Sequence, residues 1–392
     1  MELDDILVID DSKVQRQHAL ELCRALGAAS VREAADGGQG LAMMRERLPS
    51  LVLLDLEMPG MDGVRVMQGM AASGLHTPVV VASSKDYLLI STVEMMGREL
   101  GLPVLGALQK PLRLDALHDL AQRAWTPDAR MDGREFAPAE LRAALDADQI
   151  RPSYQPKVDL ADGALKGAEV LASWRHPQLG AIGADSFLPV IEQSGWATEL
   201  TMQMLTQGLG QWREWARQGL RLPLSLNLEP RSLQEDGLVE QIERIIADSH
   251  VPVRFISFEV TETAIADNLS RAIGCAVRLR MAGVGLAVDN FGTGFAAMQQ
   301  LERFPFTELK IDPSLVTSIG GKPHLQAVLN SIVELARRLK LATVAEGVQS
   351  QEDCQLMAER GCQLGQGRYF AEALPPDELL AWSRARTAAA SK

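Results

Sequence analysis

The chain is poor in cysteine, in basic residues and in long apolar runs, and each shortage closes a class of explanation. Its four cysteines, Cys23, Cys275, Cys354 and Cys362, lie far apart without a CxxC pair. That excludes a disulfide scaffold or a zinc framework and reads as reduced cytosolic thiols. No apolar run approaches the roughly 20 residues that cross a bilayer, and the acidic start Met1-Glu2-Leu3-Asp4-Asp5 lacks the basic segment of a leader. The expectation is a soluble, cytoplasmic protein with no membrane attachment. Lys and Arg total 39 against 51 Asp and Glu, a net charge of -12. A nucleic-acid polymer is therefore not an expected partner, because phosphate backbones need basic surfaces. Clustered carboxylates can still receive an anionic ligand through a divalent cation. The remaining composition, 392 residues with 46% hydrophobic and 23% charged, is that of a globular chain long enough for two domains.

Residues 1–124 alternate short apolar strands with amphipathic helices. Ile6 to Ile9 delivers Asp10 and Asp11, Leu51 to Leu54 delivers Asp55, Val79 to Val81 delivers Ser83, and Val104 to Leu108 leads to Lys110-Pro111. Continuous apolar strands between helices predict a doubly wound, flavodoxin-like parallel sheet, whose ligands sit at the carboxyl ends of the strands. There Asp10 and Asp11 can hold a Mg²⁺, Asp55 can attack phosphorus, Ser83 can bind a phosphoryl oxygen and Lys110 can neutralise it. These residues, with Asp55 set in Leu-Asp-Leu-Glu-Met-Pro-Gly-Met-Asp-Gly, resemble the response-regulator receiver domain. The resemblance implies phosphorylation of Asp55 by a sensor histidine kinase, with Mg²⁺ held by Asp10, Asp11 and Asp55. Ala107 stands where receivers often carry an aromatic switch residue.

Residues 125–136, with Pro, Gly and mixed charge, read as a linker. Residues 137–384 then carry eight candidate strands: 153–158, 167–174, 224–228, 256–260, 285–288, 308–311, 342–345 and 367–370. Most are separated by helical stretches, one with the core-type stripe Met202, Leu205, Leu209, Trp212. This predicts a TIM-like (β/α)8 barrel with its site at the strands' C-terminal ends; residues 385–392 are expected to be a disordered tail. Those ends carry Glu169, Asn227, Glu259 with Glu262, Asp289 with Asn290, Lys310 with Asp312, Glu346 and Gln366. Acids and amides at so many successive ends are costly as structure alone. Glu169, Asn227, Glu259 and Asp289 form an oxygen-only set suited to Mg²⁺ or Mn²⁺, with a second ion possible beyond Asp289. Lys310 would orient or deprotonate a water, and Glu346 would serve as a base or a second-metal partner.

Glu169-Val170-Leu171, Asn227, Glu259-Val260-Thr261-Glu262, Asp289-Asn290-Phe291-Gly292-Thr293-Gly294, Lys310-Ile311-Asp312 and Glu346-Gly347-Val348 resemble the EAL domain, and Tyr154-Gln155-Pro156-Lys157 and Gly365-Gln366-Gly367 match its two ends. The resemblance implies hydrolysis of cyclic di-GMP to linear pGpG in a homo-oligomer. It makes Lys310, Glu346 and Glu169 catalytic, puts one or two ions on Glu169, Asn227, Glu259, Asp289 and Asn290, and assigns substrate contacts to Gln155, Leu171, Arg175, Asp312 and Gln366. Glu262 would support the Gly292–Gly294 loop. Three positions depart from the family pattern: Asn290 for a second aspartate, Ser173 for an arginine, and Gln349 for a glutamate. Asparagine keeps an oxygen ligand but gives up a charge, worth up to about 4 kcal/mol at 4 Å and an effective dielectric near 20. Arg175 shares the strand face of Ser173 and can substitute for the arginine. The alternative reading is therefore a weakened EAL domain acting as a cyclic di-GMP receptor or a protein-interaction module.

Overall fold

The computed structural model describes residues 5–84, 93, 96–97, 100–125, 136–261, 269–292 and 301–390. The chain divides into two compact units, Met1–Asp128 and Ala129–Lys392.

The first unit is a five-stranded parallel sheet in the order β2-β1-β3-β4-β5. Its elements are β1 (Asp5–Ile9), α1 (Lys13–Ala25), β2 (Ser30–Ala34), α2 (Gly37–Glu46), β3 (Leu51–Asp55), α3 (Gly63–Ala72), β4 (Val79–Ser83), β5 (Val104–Gln109) and α4 (Leu114–Trp125). Every residue of β1, β3 and β4 is buried, as strands covered by helices on both faces require. Side chains begin three of the helices: Ser12, Asp36 and Asp62 each accept a hydrogen bond from the backbone N–H three residues on. Strand order places β1 and β3 side by side, so Asp10, Asp11 and Asp55 reach the same edge.

The second unit begins with α5 (Pro138–Asp146) and closes eight strands into a barrel: β6 (Ile150–Asp159), β7 (Leu165–His176), β9 (Leu224–Asn227), β10 (Ile256–Thr261), β11 (Gly285–Phe291), β12 (Glu308–Ile311), β13 (Ala342–Ala345) and β14 (Leu364–Gly365). A short β8 (Gly180–Gly183) adds a hairpin to β7. Between and after the strands lie α6 (Leu188–Gln193), α7 (Ala197–Arg217), α8 (Leu238–Ser249), α9 (Leu269–Met281), α10 (Pro323–Leu339), α11 (Gln351–Glu359) and α12 (Pro376–Ala390). Met202, Leu205, Leu209 and Trp212 of α7 are all buried in the core, as their spacing predicted.

Three features differ from the sequence expectation. β6 runs antiparallel to both of its neighbours, β7 and β14. Only a tight turn through Gly163 at φ 71° separates β6 from β7, and a connection without a crossover segment forces a hairpin. The last strand is Leu364–Gly365 rather than 367–370. Gly367 has φ 148°, and a Cβ there would lie 2.4 Å from Val348 O, so the chain leaves the sheet at this residue. Residues 385–390 continue α12 instead of fraying. Arg386 donates from Nε to Gly163 O at 3.1 Å and stacks 4.8 Å from the Trp382 ring, and the following alanines are strong helix formers.

Candidate functional site

The first unit brings its predicted residues together. Carboxylate oxygens of Asp10, Asp11 and Asp55 all lie within 4.8 Å of one another. Lys110 Nζ stands 2.7 Å from Asp10 Oδ2 and 2.8 Å from Asp55 Oδ2, across a cis Lys110–Pro111 peptide. Burial pushes the Asp55 carboxyl upward, against the opposing pull of Lys110. Asp55 Oδ1 accepts from the Glu57 backbone at 3.2 Å, and Ser83 is fully buried beside it at the end of β4. Three converging acids with a lysine form a donor set suited to a hard cation.

In the second unit, four strand ends meet on one ammonium. Lys310 Nζ lies 3.1 Å from Glu169 Oε2, 3.0 Å from Asp289 Oδ1 and 2.8 Å from Glu346 Oε1, and it also donates to Glu259 Oε2. Lys310 and Glu259 are each only 1% exposed. A second ammonium, Lys157 of β6, donates to Glu259 Oε1 at 2.8 Å and to Glu308 Oε1 at 2.6 Å. Around Glu169, Asn227 Nδ2 donates to Oε1 at 2.9 Å and Gln366 Nε2 to Oε2 at 2.6 Å. Gln366 also donates to Gln155 Oε1 at 2.7 Å, tying both ends of the domain to the cluster.

Charge in this network does not balance. Glu169, Glu259, Asp289, Glu346 and Glu308 share two ammonium groups, Lys157 and Lys310. Burial alone would lower the Lys310 ammonium, but its four carboxylates hold it well above its ordinary range, so it stays a cation. Burial likewise works against ionised Glu259, yet Lys157 and Lys310 draw it down to about 2. Glu346 is left with the excess: burial, reinforced by Asp289, Glu169 and Glu259, pushes it up to about 8 against the pull of Lys310. Asp289 Oδ1 is buried with no hydrogen-bond donor aimed at it, the Lys310 contact being off the hydrogen-bond angle. An uncompensated, oxygen-only set with an orphaned carboxylate oxygen fits a divalent hard cation. The barrel acids surround Lys310 rather than closing on one point; among the described residues only the Asp10 group is that tight.

The remaining predicted residues fall around this centre. Asn290 lies in a register shift between β11 and β12 at φ 54°, and its Nδ2 donates to Asp289 Oδ2 at 3.2 Å. Asparagine tolerates that left-handed backbone. Gly292 follows at φ 109°. Asp312 Oδ1 accepts from Ser314 N at 2.8 Å, a capping role that leaves its other oxygen available. Leu171 and Arg175 share the Glu169 face of β7. Gln349 accepts from Arg368 at 2.8 Å on the surface, so its missing charge is not taken from the Lys310 cluster. Glu262, Thr293 and Gly294 lie outside the described residues.

These two sites agree with matches to two family models, the response regulator receiver domain over residues 6–122 and the EAL domain over residues 139–373. The chain belongs to the EAL domain family, with a receiver domain before it. It is 34% identical over 385 residues to the cyclic di-GMP phosphodiesterase RocR of Pseudomonas aeruginosa, covering 96% of this chain and 97% of that protein. It is also 34% identical over 247 residues to the cyclic di-GMP phosphodiesterase NbdA of the same organism, covering 63% of this chain but 32% of that protein. Among solved structures, the PaMucR phosphodiesterase in complex with c-di-GMP matches with a TM-score of 0.58 at 30% identity, over 62% of this chain and 98% of that one. The FimX EAL domain of Pseudomonas aeruginosa shares the fold, with a TM-score of 0.56 at 20% identity over 61% of this chain and 97% of that one. Lys157 is the residue of the EAL domain that sequence reasoning left without a role. Its signal was strand parity: it sits two residues after Gln155 on the same face of β6.

Proposed function

We propose that this chain is a response regulator whose EAL domain hydrolyses cyclic di-GMP to linear pGpG under control of Asp55 phosphorylation. The observation that carries this reading is the convergence of Glu169, Glu259, Asp289 and Glu346 on Lys310 at the C-terminal ends of the barrel strands. Likeness to RocR along nearly the whole chain supports it. Glu169, Asn227, Glu259 and Asp289 would hold Mg²⁺ or Mn²⁺, with Asn290 near a second position. The cation supplies positive charge to a phosphodiester that becomes more negative as it is attacked.

The chain's own residues do the rest. Lys310, held as a cation, offers a fixed positive charge and hydrogen-bond donors; a lysine so strongly ion-paired does not act as the base. Glu346, 2.8 Å from that ammonium, would accept the proton of the attacking water as a carboxylate, the form that a cation held among these acids would favour over its neutral state. Lys157 positions Glu259 from beneath. Gln155, Leu171, Arg175, Asp312 and Gln366 bind the guanine and phosphate groups. A sensor histidine kinase supplies the phosphoryl group to Asp55, where Ser83 and Lys110 receive it beside Mg²⁺. We place the protein in the cytoplasm as a homo-oligomer.

Asn290 favours a second reading. Its amide donates to the carboxylate oxygen that a second ion would use, which suits a receptor that binds cyclic di-GMP without cleaving it. One experiment separates the readings: incubate the full chain with cyclic di-GMP and Mg²⁺ or Mn²⁺, and measure binding and pGpG formation together. Turnover supports the phosphodiesterase, and binding without turnover supports the receptor. Absence of both removes the two and leaves an interaction module.

A further inference from the structure

β6 and β7 form an antiparallel wall of the barrel mouth, and their register is regular from Ile150 to Lys157. Within it, Gln155 pairs with Glu169, Ser153 with Leu171, and Arg151 with Ser173. Side chains alternate along a strand, so Arg151 stands on the same face as Lys157, which reaches Glu259, and Gln155, which accepts from the Gln366 amide bound to Glu169. Four residues separate Arg151 from Gln155, roughly 14 Å of strand toward the open end. Arg151 is exposed, and among the described residues its guanidinium has neither a hydrogen bond nor an ion pair. Directly opposite is a serine, whose small side chain leaves the space between the strands open; paired Cβ atoms in this position are about 4.5–5.5 Å apart. An unpaired arginine above an over-acidic pocket is placed to receive the end of an anionic ligand that the carboxylates repel.

We propose that Arg151 is a phosphate-binding residue of the EAL site, holding the non-bridging oxygens of the ligand phosphodiester that is not cleaved. This rests on the reading of the site as one for a bridged dinucleotide. Arg175 is less well placed. It sits one pair farther out, on the part of β7 that turns into the β8 hairpin, where it pairs with Ala181. A guanidinium holds two phosphate oxygens at once in a charge-assisted fork, which a serine at 173 cannot do.

The test uses the full-length chain and cyclic di-GMP with Mn²⁺, measuring the dissociation constant and, where turnover occurs, KM and kcat separately. R151A is expected to weaken binding and raise KM about tenfold or more, with kcat within about threefold of wild type. R175A is expected to weaken binding less than R151A does, since Arg175 sits one pair farther out on β7. Adding S173R to R151A returns a guanidinium from the facing strand, and binding should recover to within about threefold of wild type. Binding by R151A within twofold of wild type overturns the assignment and leaves the dinucleotide reading standing. A loss in R151A that S173R does not restore also overturns it, since a fold defect would then explain the loss. Wild-type protein that neither binds nor cleaves cyclic di-GMP overturns both.

Discussion

Replacing Asn290 with aspartate adds a charge to the turn that would face the proposed second ion. The backbone at φ 54° accepts aspartate as readily as asparagine, so strain does not obscure the result. The variant also removes the Nδ2 donor from Asp289 Oδ2. We expect N290D to lower the half-saturating Mn²⁺ concentration roughly tenfold, about 1.4 kcal/mol, which is well inside the Coulomb bound for one charge. Metal titration of pGpG formation checks this, and an unchanged midpoint removes the charge-deficit account. K157M tests the floor of the cluster. It strips Glu259 of one of two buried partners, which costs about 3–5 kcal/mol of stability when a buried pair is broken on one side. Urea unfolding of the metal-free protein reads that cost. The thiols make a simpler case. Burial pushes Cys23 up to about 12 and Cys275 and Cys362 up to about 11, and it also raises half-buried Cys354. At pH 8 the first three hold on the order of a thousandth or less of their thiol as thiolate. Alkylation of native protein followed by peptide mapping should label Cys354 first, and all four only after unfolding.

At the scale of elements, the barrel depends on two short or irregular pieces. β14 contributes two residues, and the chain leaves it through Gly367. An alanine there would drive a Cβ to 2.5 Å from Val348 N, against backbone that cannot swing aside. G367A should therefore destabilise the domain by more than about 1 kcal/mol and loosen the Gln366 amide that links Gln155 to Glu169. Thermal unfolding reads the first effect and cyclic di-GMP affinity the second. Helix α12 matters for a different reason: Leu379 is fully buried, and Pro376 O accepts from Trp215 Nε1 at 3.2 Å. L379A should cost about 2–5 kcal/mol, as other leucine truncations in packed cores do. Most elements were legible because their apolar periods are clean, as in β3, β4 and α7. Two of the misses share one cause. β14 and the last turns of α12 carry no distinctive pattern, and the long-range partners that define them, Val158 and Gly163, lie over 200 residues away in sequence.

Across the whole molecule, the two sites are built alike: acids at parallel strand ends, with one lysine between them. That is why the set of site residues could be read from sequence while their roles could not. That burial and partners hold Lys310, Lys157 and Glu259 charged while pushing Glu346 toward its neutral form follows only from the folded geometry. Gln349, a lost charge in the family pattern, pairs with Arg368 on the surface and stands apart from the Lys310 cluster. Coupling between the receiver and EAL domains is open to a direct test. Acetyl phosphate with Mg²⁺ should label the wild-type chain and not D55N, and labelling should change the rate of pGpG formation. Equal rates before and after labelling would remove phosphorylation as the control. Ala107 at the usual aromatic position means that any such signal leaves the receiver by another route.

The antiparallel β6 sets a condition on biosynthesis. Its outer edge pairs with β14 and, through Tyr154, with Leu374, so the ring stays open until Leu364 and Gly365 have left the ribosome. At about 5–20 residues per second, the first strand waits on the order of 10–40 s with one edge unpaired. Nascent chains halted before that point should be cut readily by protease within the EAL domain while their receiver domain resists.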